Sequence, residues 1–170
     1  MDQWIRSVVE SLGGFGVFLL MLLENVFPPI PSELVLPLAG YHVSQGQLSL
    51  AAALIGGILG ALAGAWLSYE AGRWLGRERT LSWFDRWGAW VGASREDVEK
   101  AFGWFNRHGG LAVFVGRCIP GMRTVISLPA GASEMPRLPF LLWSLGGTIV
   151  WSGLLILAGR WLGSSFEQVG

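Results

Sequence analysis

Charge is scarce in this chain: 14% of its 170 residues are Asp, Glu, Lys or Arg, and 12 acidic side chains balance 12 basic ones. With 52% apolar residues beside so little charge, a water-soluble globule would expose too little polar surface. Cysteine is scarcer still. Cys118 stands alone, which excludes an intrachain disulfide and any multi-cysteine metal site, and His42 and His108 are too few and too scattered to replace one. No glycine-rich phosphate loop, zinc-ligand spacing or Ser-His-Asp order occurs. Enzyme chemistry therefore has no anchor, no cofactor or metal is implied, and no nucleic-acid partner is expected. A secretory leader is also missing its marks: Asp2 and Glu10 stand where a basic region belongs, and no small-x-small site follows the apolar run. The first segment is expected to stay attached.

What the chain has is long apolar runs, 25 Gly and 10 Trp. Residues 48–69 carry no charged side chain, and at ~1.5 Å per residue they are long enough for a hydrocarbon core of roughly 30 Å. Residues 138–159 form a second such run. The apolar run 12–23 spans only roughly 18 Å as helix, so it reaches mid-membrane without crossing. It stops at ENVFPPIPSE (24–33), where Pro28, Pro29 and Pro31 remove amide donors and push their predecessors out of helical geometry. A second break, GRCIPGMR (116–123), centres on Pro120 and Gly121. Backbone freed at such breaks must find partners in protein or in a water-filled cavity.

One break is acidic and the other basic. Each runs into a near-identical exit, LPLAG (36–40) and LPAG (128–131), and each half closes on AGRWLG, at 71–76 and 158–163. The plan is stated twice. If each half dips in once and crosses once, the odd number of crossings sets the halves upside down to each other, an arrangement that puts substrate sites between interrupted segments. The expectation is an all-α membrane protein: an inverted repeat of two halves, each a Pro-broken re-entrant helical hairpin plus a full transmembrane helix, with amphipathic interfacial helices. A single membrane domain would comprise repeat 1 over about 12–76, a cytoplasmic amphipathic linker over about 77–109, and repeat 2 over about 110–163.

Residues 73–107 hold seven of the twelve Lys and Arg, which by the positive-inside tendency places this linker in the cytoplasm. Ser94 with Asp97 reads as a capping box; Val98, Ala101, Phe102 and Phe105 make one stripe, and Gly109-Gly110 ends an interfacial helix over 95–108. Residues 2–11 suit a short surface helix or a frayed terminus. Gly56, Gly60 and Gly64 recur on one face of the first span and invite a neighbouring backbone. Tyr69, Trp66, Trp74, Trp143, Trp151 and Trp161 suit interfacial anchoring, with deep packing the alternative for Trp143 and Trp151; Arg73 and Arg160 suit snorkelling, and Glu134 with Arg137 a solvated pair.

Arg117 and Arg123 flank Pro120-Gly121 in a segment otherwise apolar from Leu111 to Ala132, where an unpaired cation would be costly. They must face something polar. Two readings stand: forked donors for a phosphate, or internal ion pairs with Glu24 and Glu33. Desolvation raises a carboxyl pKa and a nearby arginine lowers it, so Glu33 first and Glu24 second are candidates for a proton-coupling or gating group. A structural salt bridge is the other reading.

PPIPSE, VGRCIPGMRTVISLPAG (115–131), Met135-Pro136, Phe140 and GGTIVW (146–151) resemble the DedA family of the wider VTT (SNARE-associated Golgi) superfamily, over roughly residues 12–163. The resemblance implies a multi-pass protein of the bacterial cytoplasmic (inner) membrane, linked to proton-motive force, that flips polyprenyl phosphate carrier lipid; eukaryotic relatives scramble phospholipids. It also matches the family's essential acid to Glu33 and its essential arginines to Arg117 and Arg123. One departure stands out: Ala65 occupies the position, four residues before Tyr69, where relatives often carry Asp, which leaves the number of coupled protons open. The expected function is a flippase for an anionic lipid, most of all undecaprenyl phosphate. The expected partners are that lipid or a phospholipid, and protons; the oligomeric state is open, a homodimer included. An energy-independent scramblase, a proton-coupled exporter of small cations and a non-transporting scaffold are the alternatives.

Overall fold

The computed structural model describes residues 2–26, 32–91 and 94–167, so the predicted break at Pro28, Pro29 and Pro31 lies outside the described residues. The described residues form eight helices and no strand: α1 (Asp2–Val26), α2 (Ser32–Ser44), α3 (Leu50–Val91), α4 (Arg95–His108), α5 (Gly110–Arg117), α6 (Met122–Val125), α7 (Ser127–Ala132) and α8 (Arg137–Glu167). Glycine sets the two internal breaks. Gly13 at φ 55° separates the polar start of α1 from its apolar run, and Gly76 at φ 72° interrupts α3 where the first AGRWLG ends. Both values lie in the left-handed region, which side chains with a Cβ avoid. Segments within Leu50–Gly88 and Arg137–Gly163 are long and apolar enough to cross a membrane, while Ser11–Asn25 is apolar but shorter.

Two compact units result, residues 1–64 with 149–170, and residues 65–148. In the first unit α1 packs on α2, and Val17, Leu20, Met21, Val35, Leu36, Ala39 and Ile156 form its core. The glycine face acts as its spacing implies. A Cβ at Gly56 or Gly60 would overlap the carbonyl oxygen of Gly14 or Phe18, and one at Gly64 would run into Asn25, so α1 and α3 touch backbone to backbone. In the second unit α5 packs on α6, α6 on α7, and α4 on both α5 and α7. Its core gathers Ala65, Tyr69, Phe105, Val113, Ile126, Ala130 and Phe140.

Each unit contains the same joint. In the first, a Cβ at Gly40 of LPLAG would overlap the carbonyl of Ile156 and crowd the amide of Arg160, and Gly159 meets the carbonyl of Pro37. In the second, Gly131 of LPAG meets the carbonyl of Tyr69 and the amide of Arg73, and Gly72 meets the carbonyl of Leu128. The short helix of one sequence half thus docks on the AGR turn of the other half's long helix, at matching residues in both units.

α4 forms as its local sequence dictates. Ser94 accepts from the Asp97 amide while the Asp97 carboxylate accepts from the Ser94 amide, and Gly109 closes the end by donating to the Phe105 carbonyl. Val98, Ala101, Phe102 and Phe105 are buried. Donation from Ser94 holds the Asp97 carboxyl below its ordinary value. A lowered folded pKa means the cap is complete above the ordinary aspartate range and is lost as pH falls through the depressed value. Amide exchange at residues 94–98 should therefore accelerate in acid. Ser94→Ala should cost about 1 kcal/mol of local helix stability at neutral pH, read in the same exchange experiment.

Two expectations are corrected here. Tyr69 is no interfacial anchor: it is 0% exposed, stacks on Phe140 with centroids 4.3 Å apart and donates to the Met135 carbonyl, so both its ring and its hydroxyl are satisfied inside. Arg137 pairs with Glu70 rather than Glu134, through two hydrogen bonds of 2.9 and 3.1 Å that fit its planar fork.

Candidate functional site

Along the long helices apolar side chains face outward, while a few polar ones are buried. Ile55, Leu59, Leu67, Leu142, Ile149, Leu154 and Leu157 are exposed, whereas Glu24, Asn25, Arg117, Arg123, Ser127 and Thr148 are buried. An apolar exterior of that kind is covered only by lipid or by another apolar surface. Buried ionisable residues in such a setting mark functional positions by default.

Arg117 is the last residue of α5 and is 2% exposed. Helix α5 stops there because Pro120 cannot continue it, and Gly121 at φ 76° turns the chain into α6. Gly147 lets the arginine lie close to α8, since a Cβ there would crowd both the Arg117 Cβ and the Phe114 carbonyl. The guanidinium donates from Nη1 to the Thr148 hydroxyl at 3.0 Å and from Nη2 to the Ser127 hydroxyl at 3.2 Å. Arg123, in the single turn of α6, is 4% exposed, and its amide donates to the Ile119 carbonyl. Both arginines also take part in further polar or electrostatic interactions. The second unit therefore brings both guanidiniums into its interior on either side of the proline break, while Pro120 and Gly121 stay exposed.

Nothing local in the sequence marks Thr148 and Ser127, since an isolated hydroxyl in an apolar helix is common. The only signal was spacing: Ser144, Thr148 and Ser152 recur every four residues along α8, and all are buried. A hydroxyl can accept from the guanidinium and still donate onward to an anion. Thr148→Val keeps the volume but removes the acceptor, and is expected to destabilise the protein by about 1.5–3 kcal/mol. Melting temperature in detergent measures this, and Thr148→Ser should retain it.

In the first unit Glu24 is 3% exposed at the end of the apolar part of α1, where Asn25 donates to the Met21 carbonyl at 3.0 Å. Glu24 has a polar or electrostatic partner of its own. Glu33, expected from the sequence to be desolvated, is instead exposed in the first turn of α2, where a carboxylate complements the helix dipole; of the two acids only Glu24 is buried. Ala65 is buried in the core with Tyr69, so this position carries no carboxylate. Among the described residues no three His, Cys, Asp or Glu side chains group as metal ligands.

Two membrane-length helices, an apolar exterior and buried arginines define a helical membrane protein. The VTT domain family model matches residues 30–161, and the chain belongs to that family. It is 37% identical over 169 residues, 99% of this chain and 83% of the relative, to the undecaprenyl phosphate transporter A of Staphylococcus aureus. It is 33% identical over 165 residues to the undecaprenyl phosphate transporter A of Bacillus subtilis, covering 97% and 79% of the two chains. An alkaline phosphatase-like protein of Lactococcus lactis is 35% identical over 170 residues, covering 99% and 79%. No solved structure matches the chain.

Proposed function

We propose that this protein moves an anionic carrier lipid, undecaprenyl phosphate, between the leaflets of the bacterial cytoplasmic membrane. The observation that carries the reading is the pair of buried arginines in one proline-broken segment, Arg117 with its fork held by two hydroxyls. A forked, permanently charged donor suits the oxygens of a phosphate monoester. Similarity to two proteins named for that lipid supports the substrate. The role is binding and translocation rather than hydrolysis.

In this reading Arg117 and Arg123 hold the phosphate. Glu33 gates it and Glu24 assists, as the carboxylates through which protons couple to transport. The protein crosses the membrane more than once, and its halves are inverted copies with two re-entrant hairpins. The matching joints at Gly40 and Gly131 support that repeat. So does the packing of consecutive helices in each unit, α1 on α2 and α5 on α6.

Reconstitution into liposomes tests the proposal. Undecaprenyl phosphate should cross faster than in protein-free vesicles, zwitterionic phospholipid should not, and a pH gradient should change the rate in wild type but not in Glu33→Gln. Equal transport of zwitterionic phospholipid with no response to pH would make the protein a scramblase instead.

A further inference from the structure

One surface of the second unit joins cations to an apolar floor, and the transport reading does not use it. Residues 119–122 run alongside α4 and leave a groove of about 480 Å³ lined by Lys100, Gly103, Trp104, Arg107, Ile119 and Met122. An adjoining hollow of about 340 Å³ shares Ala101, Ile119 and Met122 with it and reaches Pro120, Gly121 and Val125. The groove therefore ends on the turn that carries the buried Arg123, whose amide is bonded to the Ile119 carbonyl.

Lys100 and Arg107 stand two helical turns apart, both exposed at the rim. Lys100 pairs with Glu96 at 2.8 Å, but both partners are more than half exposed, and such i,i+4 pairs hold a side chain weakly. The one acid bordering the hollow, Asp97, is occupied by its cap with Ser94. The rim thus favours an anion while the floor of Ala101, Trp104, Ile119 and Met122 favours hydrocarbon. Only an amphiphile with an anionic head satisfies both, and a half-buried tryptophan suits the level where head and tail meet.

We propose that this groove is a docking site for the phosphate head and first tail units of an anionic membrane lipid. Lys100 and Arg107 take the phosphate there before it passes to Arg117 and Arg123. The last step rests on the transport reading; the docking does not.

Gly103 supplies a clean probe, because a Cβ there would meet nothing within 4 Å. Gly103→Ala adds one methyl to open space, and Gly103→Trp sets a bulky ring at the same position on the groove wall. The full chain in nanodiscs is labelled with a photoactivatable polyprenyl phosphate, and the labelled peptides are mapped by mass spectrometry. Label is expected within residues 100–107 and 119–122. Lys100→Ala with Arg107→Ala should reduce it about tenfold or more, given the contribution of each surface cation to binding anionic lipid. Gly103→Trp should act similarly, and Gly103→Ala should not. Label confined to other segments, or unchanged by both the double alanine and the tryptophan variant, overturns the proposal. So does loss of the label to millimolar inorganic phosphate, which would make this a site for the free ion. Transport by wild-type liposomes is scored separately. Groove labelling without transport counts against the transport reading alone, and transport without groove labelling counts against the groove alone.

Discussion

Arg117→Lys and Arg123→Lys are each expected to lower undecaprenyl phosphate transport by roughly 10- to 100-fold, although both preserve charge. A charge-assisted hydrogen bond contributes about 1.5–3 kcal/mol, and about 1.4 kcal/mol corresponds to a factor of ten. At Arg117 the planar fork spans Thr148 on α8 and Ser127 at the start of α7. A lysine ammonium is a single compact point of charge, so it cannot keep both hydroxyls and also present a second edge to a phosphate. The same substitution leaves one of the two hydroxyls without its donor inside the unit. Initial rates against lipid mole fraction, together with melting temperature, separate lost recognition from lost folding. Full activity in both lysine variants at normal stability would show that forked recognition is wrong.

Gly131→Ala and Gly40→Ala are expected to destabilise the protein by about 1–3 kcal/mol each, lowering the melting temperature by roughly 2–4 °C per kcal/mol. In both cases one added methyl would overlap a main-chain carbonyl, that of Tyr69 or that of Ile156, and a backbone in a helix cannot step aside as a side chain can. The pair matters more than either value. If the two joints are copies of one design, both substitutions should cost similar amounts, whereas Gly103→Ala, facing open space, should stabilise by up to about 1 kcal/mol through helix propensity. A neutral effect at Gly131 with a large one at Gly40 would remove the energetic equivalence of the two joints.

The features legible in the sequence are those that depend on near neighbours along the chain. The α4 cap needs only Ser94 and Asp97, its stripe only helical spacing, and the close approach along Gly56, Gly60 and Gly64 only the absence of side chains at every fourth residue. The uncharged runs likewise announce α3 and α8 by length. What escaped depends on distant partners. Tyr69 looked like an anchor because nothing local reveals Phe140 and Met135, and Arg137 looked like a partner of Glu134 because Glu70 lies 67 residues away. At the site, two arginines around a proline in apolar sequence stood out as an expensive exception. The hydroxyls of Ser127 and Thr148 did not, since a hydroxyl in an apolar helix costs little enough to be common. The groove beside α4 was also invisible, because it exists only where residues 119–122 return against Lys100–Arg107.

Whether the two buried arginines hold the lipid phosphate is decided by the structure of the full chain in nanodiscs with undecaprenyl phosphate. Density for the phosphate is expected within hydrogen-bonding reach, about 3 Å, of the guanidiniums of Arg117 and Arg123, with the tail leaving past the 119–122 turn. Head-group density elsewhere, with neither guanidinium touching it, would contradict that expectation.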